Sequence, residues 1–269
     1  MESLPDWAPR DVDLTVASPA RMYDYFLGGA HNFGVDRELA HKVLEISPGT
    51  PMVAQANRAF LHRAVRFLVA QGVRQFIDIG SGIPTVGNVH ETAQAEDARS
   101  RVLYVDHDPV AVAHSELILD GDRTARVLQA DLRQPEQILN APQLDELIDL
   151  SEPVVVLMVA VLHFVSEADH PIELIDQFRD AVVPGSYLVI SHVTDEGRVS
   201  QGQRVKDLYR SAADPITLRS RSRIQELFTG WDLVEPGVVW VPEWRPNWPD
   251  EVGPDPSSST ILGAVARKA

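Results

Sequence analysis

Five short apolar segments alternate with helical stretches in the middle of the chain, and this alternation limits the possible folds more than any other feature. The segments are residues 75–79, 101–105, 125–129, 153–159 and 187–191. The clearest helical stretch spans 171–183 and ends at Pro184 and Gly185. The pattern predicts an α/β protein with a parallel sheet and helices on both faces. Ligands of such sheets bind beyond the carboxyl ends of the strands, so the residues that directly follow each strand are the candidate site.

The flanking regions follow a different pattern. The first fifty residues read as irregular and glycine-rich, and a helix is predicted from Pro51 to a terminating glycine at Gly72. Prolines between 242 and 256 predict a loop, and 259–266 predict a last strand. We therefore expect residues 1–72 to form an N-terminal helical extension and residues 73–269 to form the sheet domain.

The composition excludes several classes of protein. The 269 residues include no cysteine, which rules out disulfides, zinc–thiolate sites, iron–sulfur clusters and cysteine nucleophiles. The longest apolar run, 154–162, is too short to cross a bilayer, and residues 1–6 do not resemble a signal peptide. The net charge of −15 disfavours a nucleic-acid partner. We expect a soluble cytoplasmic protein with no metal site and no membrane or nucleic-acid partner.

The first predicted strand runs into a glycine turn. Gly80 and Gly82 flank Ser81, and glycine allows a backbone to turn tightly and approach a ligand closely. A dinucleotide-binding fingerprint would carry a third glycine at position 85, where Thr85 stands. An acid two residues before the first glycine, Asp78, is instead typical of S-adenosylmethionine sites, where it can engage the methionine ammonium group. The alternative is a tight strand–helix turn that binds no ligand.

Acidic residues also follow the second and third predicted strands. Asp106 is placed to accept both hydroxyls of a ribose, whereas Asp108 with Pro109 is expected to cap the next helix. Asp131 can accept the amino group of an adenine while Leu132 offers its backbone N–H. Each acid can also be an ordinary turn residue. Three acids at three consecutive strand ends make that explanation much weaker.

The fourth predicted strand leads into Ala160 and His163. In a methyltransferase this segment lies beside the sulfonium and the incoming substrate. His163 can act as a general base near neutral pH, or it can be a structural histidine with its hydrogen bonds satisfied inside the fold. His192, after the fifth strand, is a weaker candidate for the same role.

Several stretches together resemble the actinobacterial S-adenosylmethionine-dependent methyltransferase family formerly called a domain of unknown function (DUF574, Methyltransf_19). The resemblance extends from about residue 20 to 239 and includes positions outside the generic cofactor motifs. It rests on residues 21–29, 32, 36–37, 56–60, 75–85, 104–109, 162–164 and 184–188. It implies a Rossmann-like class I methyltransferase fold: a seven-stranded, mostly parallel sheet whose last strand is antiparallel.

The resemblance also implies roles for other parts of the chain. Residues 1–72 would form a lid in which Tyr23, Gly28, Gly29, Asn32 and Asp36 close over the cofactor, with Tyr23 or Asn32 near its methionine end. The alternative is a hydrophobic docking segment at 25–27. Residues 198–230 would form a substrate-side insertion. The candidate cofactor-binding residues are Tyr23, Gly28, Asn32, Asp78, Gly80, Ser81, Gly82, Asp106, His107, Asp131, Leu132 and Ala160.

The leading hypothesis is therefore methyl transfer from S-adenosylmethionine, with S-adenosylhomocysteine as product, to a small-molecule acceptor. A non-catalytic regulator that binds the same ligand is the alternative, followed by a nicotinamide-dependent oxidoreductase. Residues 198–223 hold seven basic and two acidic side chains, which favours an anionic acceptor bound by Arg219 and Arg221. The other explanation is that this basic segment only complements an acidic core.

Overall fold

A single mixed sheet organises the molecule. The computed structural model describes residues 8–9, 12–84 and 87–269, so Thr85 lies outside the described residues. The strand order is β3-β2-β1-β4-β5-β8-β6, and β7 pairs with β8 beside this path. The strands are β1 Gln75–Ile79, β2 Arg101–Asp106, β3 Ala125–Gln129, β4 Val155–Val159, β5 Tyr187–Val193, β6 Asp232–Leu233, β7 Val239–Trp240 and β8 Ile261–Arg267.

The class I methyltransferase fold is confirmed, with a small difference in the number of strands. β1 to β5 are mutually parallel and β8 is antiparallel to β5, as predicted. The sheet has eight strands rather than seven because the two residues of β7 add a short antiparallel pairing to β8. All five predicted central segments are strands, with ends shifted by two residues at most.

The helices that the structure describes lie on both faces and at one edge of this sheet. They are α1 Pro19–Phe26, α2 Gly34–Ile46, α3 Thr50–Ala70, α4 Val89–Glu96, α5 Pro109–Ile118, α6 Pro135–Leu139, α7 Pro142–Leu147, α8 Pro171–Ala181, α9 Val199–Leu208 and α10 Arg221–Glu226. Short 3₁₀ turns are Leu162–Phe164, Glu167–Asp169, Tyr209–Ser211, Val241–Glu243, Pro249–Val252 and Pro256–Ser259.

The prediction that the first fifty residues are irregular is wrong, because this region contains α1 and α2. A proline at the first position favours the start of α1. In α2, Leu39, Ala40 and Val43 form a short buried stripe that packs against other helices. Tertiary packing therefore stabilises helices whose own periodic pattern is short.

Two hydrophobic clusters cover the two faces of the sheet. Val156 and Met158 of β4 face α6, α7 and α8, whereas their neighbours Val155 and Leu157 face α3 and α4. The alternation explains why β4 is apolar throughout: a central parallel strand is buried on both faces. Among the described residues, no helix has the length and apolarity that a membrane crossing requires.

A third cluster lies over the carboxyl ends of the parallel strands. It joins α1 and α2 to α9 and the segment after it, and the Ala213 amide donates to the Ala17 carbonyl over 3.0 Å. We call α1, α2, α9 and residues 209–219 the cap. Both sequence-predicted additions, the N-terminal extension and the 198–230 segment, contribute to the cap. α3 instead packs mainly on the sheet face.

Candidate functional site

A cavity lies between the carboxyl ends of β1 to β5 and the cap. The residues that line it include most of those selected from the sequence: Tyr23, Asp78, Gly80, Ser81, Gly82, Asp106, His107, Asp131, Leu132, Ala160 and His163. Gly28 and Asn32, which the structure also describes, are not among its lining residues. The cavity thus brings together side chains from four strand ends and from the N-terminal extension.

The turn after β1 needs both of its glycines. Gly80 and Gly82 have φ values of +69° and +68°, in the left-handed region that favours glycine. A Cβ on Gly80 would lie 2.2 Å from a methyl carbon of Val161, whereas a Cβ on Gly82 would meet nothing within 4 Å. The Gly80 amide donates to the Val105 carbonyl over 2.8 Å, which fixes the turn against β2.

Asp106 connects this turn to the start of α5. Its Oδ2 accepts from the Gly82 amide over 2.7 Å and its Oδ1 accepts from the Asp108 amide over 2.9 Å. Asp108 in turn caps α5 by accepting from the Val110 amide, as predicted. Burial raises the pKa of Asp106, and these backbone donors oppose that rise. Each carboxylate oxygen keeps a second acceptor position for a ligand hydroxyl.

Asp78 is buried at the end of β1, with 6% of its surface exposed. Burial raises its pKa to about 7; the charge of Arg58 opposes this rise and the charge of Asp106 adds to it. A cation bound beside Asp78 would restore the charged form, because an opposite charge at close range favours ionisation. The site therefore suits a cationic ligand group.

Asp131 already has a partner in the loop after β3. Arg133 lies against both carboxylate oxygens of Asp131, at 2.9 Å and 2.7 Å. The same guanidinium lies 3.3 Å from Asp214 of the cap. A ligand amino group at Asp131 would thus share this carboxylate with Arg133. Leu132 lines the cavity between the two charged residues.

A chain of hydrogen bonds joins the N-terminal extension to the end of β4. The Tyr23 hydroxyl donates to the Ala54 carbonyl and accepts from Asn57, each over 3.1 Å. Asn57 Oδ1 accepts from Ser191 Oγ over 2.6 Å, and that hydroxyl accepts from the Ala160 amide over 2.9 Å. Ala160 is held at a φ of +58° beside the cavity, an uncommon conformation for a residue with a Cβ.

Asn57 and Ser191 are not among the site residues selected from the sequence, although the position of Asn57 gave one indication of its role. Asn57 is a polar residue within the buried face of α3, and it is 2% exposed. A buried polar side chain in an apolar stripe needs hydrogen-bond partners, and here they hold two parts of the cavity wall together.

Gly28 and Asn32 lie in the loop after α1, where they support the fold of the cap. Gly28 lies two residues after the end of α1, with a φ of +84°. Asn32 Nδ2 donates to Asp24 and to the Gly29 carbonyl over 2.9 Å and 3.0 Å. Asp36 accepts from the Ser18 and Phe33 amides over 2.9 Å and 2.8 Å.

The segment 25–27 packs in the apolar cluster of the cap. Ser18, just before α1, donates its hydroxyl proton to Asp108 at the start of α5. The N-terminal extension is thus joined both to the rest of the cap and to the sheet edge that carries the site.

His163 lies in the cavity wall with 5% of its surface exposed. Burial, together with the charge of Arg219, lowers its pKa to about 3, so the imidazole is neutral at physiological pH. Its buried Nδ1 has no hydrogen-bond partner among the residues the structure describes. His192 differs, because its Nδ1 donates to the Val193 carbonyl and its Nε2 accepts from Arg219, over 2.6 Å and 2.7 Å.

Arg219 and Arg221 are engaged in the fold. Arg219 is 3% exposed and donates to His192, to Glu167 and to the carbonyls of Leu162 and Val165. Arg221 donates to the Val238 carbonyl over 2.6 Å. Neither lines the cavity; of the basic residues in 198–223, Arg198 and Lys206 do so. The structure therefore does not support an anion-binding role for the Arg219 and Arg221 pair.

A family model and two solved structures match this chain over nearly its full length. A family model described as S-adenosyl methyltransferase (Methyltransf_19) matches residues 5–269. A DUF574 family protein from Streptomyces avermitilis is 37% identical, over 94% of this chain and 98% of that one, with a TM-score of 0.90. A candidate methyltransferase from Thermobifida fusca is 38% identical, over 98% and 99%, with a TM-score of 0.92.

A more distant structure, an O-methyltransferase family protein from Burkholderia thailandensis, shares the fold. It is 12% identical over 91% of this chain and 64% of that one, with a TM-score of 0.52. The comparison with curated proteins finds no match.

Proposed function

The chain belongs to the S-adenosyl methyltransferase family Methyltransf_19, and from that membership we propose that it transfers a methyl group from S-adenosylmethionine to a small-molecule acceptor. The cofactor would bind across the carboxyl ends of β1, β2 and β3, and the acceptor would bind in the part of the cavity under the cap. The family favours this cofactor over a nicotinamide.

The observation that carries the proposal is the meeting of Asp78, Asp106 and Asp131 in one cavity beside an open glycine turn. Three properties of these residues fit the cofactor. Asp78 is a buried acid whose charge a cationic group would stabilise. Asp106 keeps acceptor positions for two hydroxyls. The Gly82 turn leaves open space where a side chain would project.

We propose the following roles for the candidate residues near the cofactor. When bound, S-adenosylmethionine supplies an electrophilic methyl group on a positively charged sulfur. Asp78 would bind the methionine ammonium group and Asp106 the ribose hydroxyls. Asp131 and the Leu132 amide would bind the adenine edge. Gly80, Ser81 and Gly82 would shape the cradle, and His107 would lie at its rim.

The cap would close the site. Tyr23 would lie near the methionine end, and Gly28 and Asn32 would act indirectly by holding the loop that follows α1. Ala160 would place its backbone beside the reacting centre. Alignment of donor and acceptor is the main requirement of such a transfer and can lower the barrier by about 7–11 kcal/mol.

His163 would touch the acceptor. Because its pKa is about 3, it is a weak proton acceptor in the ligand-free protein. As a neutral imidazole it can still accept a hydrogen bond from a hydroxyl or amine nucleophile. We therefore propose His163 primarily as an orienting group, which becomes a base only if a bound ligand raises its pKa.

Titration calorimetry with S-adenosylhomocysteine tests the cofactor site. We expect binding to the native protein and a loss of about 10- to 100-fold in affinity for Asp106→Ala, since hydrogen bonds to charged groups contribute about 1.5–3 kcal/mol. Asp145→Ala, an exposed acid on α7, is the matched control and should bind normally. Absence of binding to the native protein at millimolar ligand would refute the assignment.

A second measurement separates an enzyme from a regulator that binds the same ligand. S-adenosylhomocysteine formation from S-adenosylmethionine is followed with a panel of hydroxylated and amino-substituted small molecules. Product formation with any of them, lost in Asp106→Ala, supports methyl transfer. Tight binding without turnover across the panel would favour the regulator.

A further inference from the structure

The inner face of α9 forms one wall of the cavity. Positions 198, 201, 202, 205, 206 and 209 line it, and the spacing of three and four places them on one side of the helix. Positions 50, 53, 54, 57, 58 and 61 of α3 line the same cavity with the same spacing. The cavity therefore extends from the strand ends to faces of both α3 and α9.

Apolar side chains dominate this space, which we call the chamber. Its walls include Val43, Val53, Phe164, Val205, Ile216 and Leu218. The acids of the proposed cofactor site lie at the strand ends instead. The chamber is thus the part of the cavity that suits the apolar body of an organic molecule.

A glycine enlarges the chamber. Gly202 lies in the middle of α9 and faces the cavity, although glycine is a poor helix former. A Cβ at this position would meet only the Leu218 side chain within 4 Å, at 3.4 Å. A larger side chain here would therefore extend into the chamber rather than into the backbone.

Within the described part of the chain, one cation of the chamber wall, Lys206, has no polar partner. The Glu196 carboxylate accepts from the Arg221 amide over 2.8 Å and lies 3.4 Å from its side chain, and Arg198 lies 3.8 Å from Asp255. Lys206 is half-buried and lines the cavity. It has no hydrogen bond or ion pair with any residue in 8–9, 12–84 or 87–269.

We infer that the acceptor is an organic anion with a largely apolar body, and that Lys206 binds its charged group. The inference rests on the proposed function and names its substrate class. The apolar walls would hold the body of the acceptor, and the Lys206 ammonium would pair with a carboxylate, sulfonate or phosphate. Two basic residues of the 198–230 segment line the cavity, and Arg198 lies beside Asp255, so the unpaired positive charge that this segment offers to the acceptor is that of Lys206.

Two fluorescent probes of matched shape test this inference without a known substrate. 8-Anilinonaphthalene-1-sulfonate carries an anionic group, and N-phenyl-1-naphthylamine lacks it. Both are titrated into protein saturated with S-adenosylhomocysteine, so that the cofactor site is blocked. We expect the anionic probe to bind more tightly than the neutral one. Lys206→Gln should weaken binding of the anionic probe about five- to tenfold, because it removes a charge-assisted contact at a half-buried position. Lys206→Gln should leave the neutral probe unchanged.

Three further variants test whether the effect of Lys206→Gln is specific to the charge and position of Lys206. Arg204→Gln removes the same charge from an exposed position of α9 that does not line the cavity, and it should change neither titration. Lys206→Arg should retain most of the preference for the anion. Gly202→Phe should weaken both probes while S-adenosylhomocysteine still binds, because it fills the chamber and leaves the strand ends intact.

The outcomes distinguish this inference from the proposed function. Equal effects of Lys206→Gln and Arg204→Gln, or equal binding of the two probes, would overturn it. Probe binding that survives Gly202→Phe would place the probes elsewhere and also overturn it. Failure of S-adenosylhomocysteine to bind would refute the proposed function instead, and the same probe titrations without it would still decide the role of Lys206.

Discussion

His107 Nε2 lies 3.2 Å from the carboxylate of Asp214, although the two residues are 107 positions apart in the chain. The contact joins the loop after β2 to the cap. The hydrogen bond with Asp214 is the largest cause of a rise in the His107 pKa to about 9, and Asp106 adds to it. His107 is therefore a cation at neutral pH, and it lies between Asp106 of the proposed cofactor site and Asp214 of the cap.

Removal of the Asp214 charge should release His107. We expect Asp214→Asn to lower the His107 pKa from about 9 toward its ordinary value near 6.5, because the hydrogen-bonded carboxylate is lost. The shift is measured from the pH dependence of the His107 ring signals in NMR spectra. A midpoint that stays near 9 in the variant would contradict the assignment of the rise to Asp214.

The same pair gives a pH dependence of stability. The pKa of His107 is higher in the folded than in the unfolded protein. Its contribution to the free energy of unfolding is therefore complete below about pH 6.5 and is lost as the pH rises through about 9. Because 52% of the His107 side chain is exposed, solvent screening limits the effect to about 1 kcal/mol. The difference in Tm between pH 6 and pH 10 should be smaller in Asp214→Asn than in the native protein.

Asp78 should couple ligand binding to pH. Its pKa of about 7 in the ligand-free protein means that the carboxylate is progressively protonated below pH 7. If it binds the ammonium group of the ligand, S-adenosylhomocysteine affinity should fall by up to about tenfold for each pH unit below 7. Calorimetry from pH 5 to pH 8 measures this dependence. Asp78→Asn should bind more weakly and lose the dependence.

Asp78→Asn should also stabilise the ligand-free protein. The neutral form of Asp78 fits its buried site, so stability is lost as the pH rises through about 7. At pH 8 the ionised carboxylate costs up to about 4 kcal/mol. We expect Asp78→Asn to raise the Tm at pH 8 and to change it little at pH 4. An equal change at both values would show that ionisation is not the cause.

Arg219 should be a determinant of stability. Its side chain is 3% exposed, and the guanidinium donates to the Leu162 and Val165 carbonyls, to Glu167 and to His192. Arg219→Met leaves these acceptors without their donor and should cost about 3–5 kcal/mol in free energy of unfolding. Chemical denaturation measures the loss.

Arg223 provides the comparison for Arg219. It contacts the other oxygen of Glu167 over 3.0 Å, but half of its side chain is exposed. Arg223→Met should therefore cost less than about 1 kcal/mol. Similar losses for the two variants would argue against the buried network as the source of the difference.

Tyr23 and Tyr25 form a second matched pair. Tyr23→Phe removes the hydroxyl that donates to Ala54 and accepts from Asn57, and a buried amide loses one partner. We expect a loss of about 1–2 kcal/mol in stability. Tyr25→Phe removes an exposed contact with His41 and should change stability by less than about 0.5 kcal/mol. If Tyr23 also lies near the cofactor, its variant alone should weaken S-adenosylhomocysteine binding.

The central sheet could be predicted because its signals are local. A strand buried on both faces is apolar throughout, as in β4, and a glycine turn follows from two glycines two residues apart. Strand ends of a parallel sheet meet at one edge, so Asp78, Asp106 and Asp131 could be brought to one site without knowledge of the packing. These arguments need only the order of the elements.

The cap could not be predicted in the same way. α2 packs in one apolar cluster with α9, which lies more than 150 residues further along the chain, and such a contact has no local signal in the sequence. Arg219 reads as part of a basic surface segment, and only the fold shows that four partners enclose it. Lys206 and Arg219 have the same charge in the sequence, but Arg219 is buried among four partners, whereas Lys206 is half-buried and has no polar partner among the described residues.

The Ala213 amide donates a hydrogen bond to the Ala17 carbonyl, so its exchange rate depends on the position of the N-terminal segment. The Ala213 side chain is exposed, so its amide is slow to exchange with deuterium only while the N-terminal segment is in place. Exchange at Ala213 therefore reports how often the two halves of the cap separate. Slower exchange with S-adenosylhomocysteine bound would show that the ligand keeps the N-terminal segment in contact with the segment that follows α9.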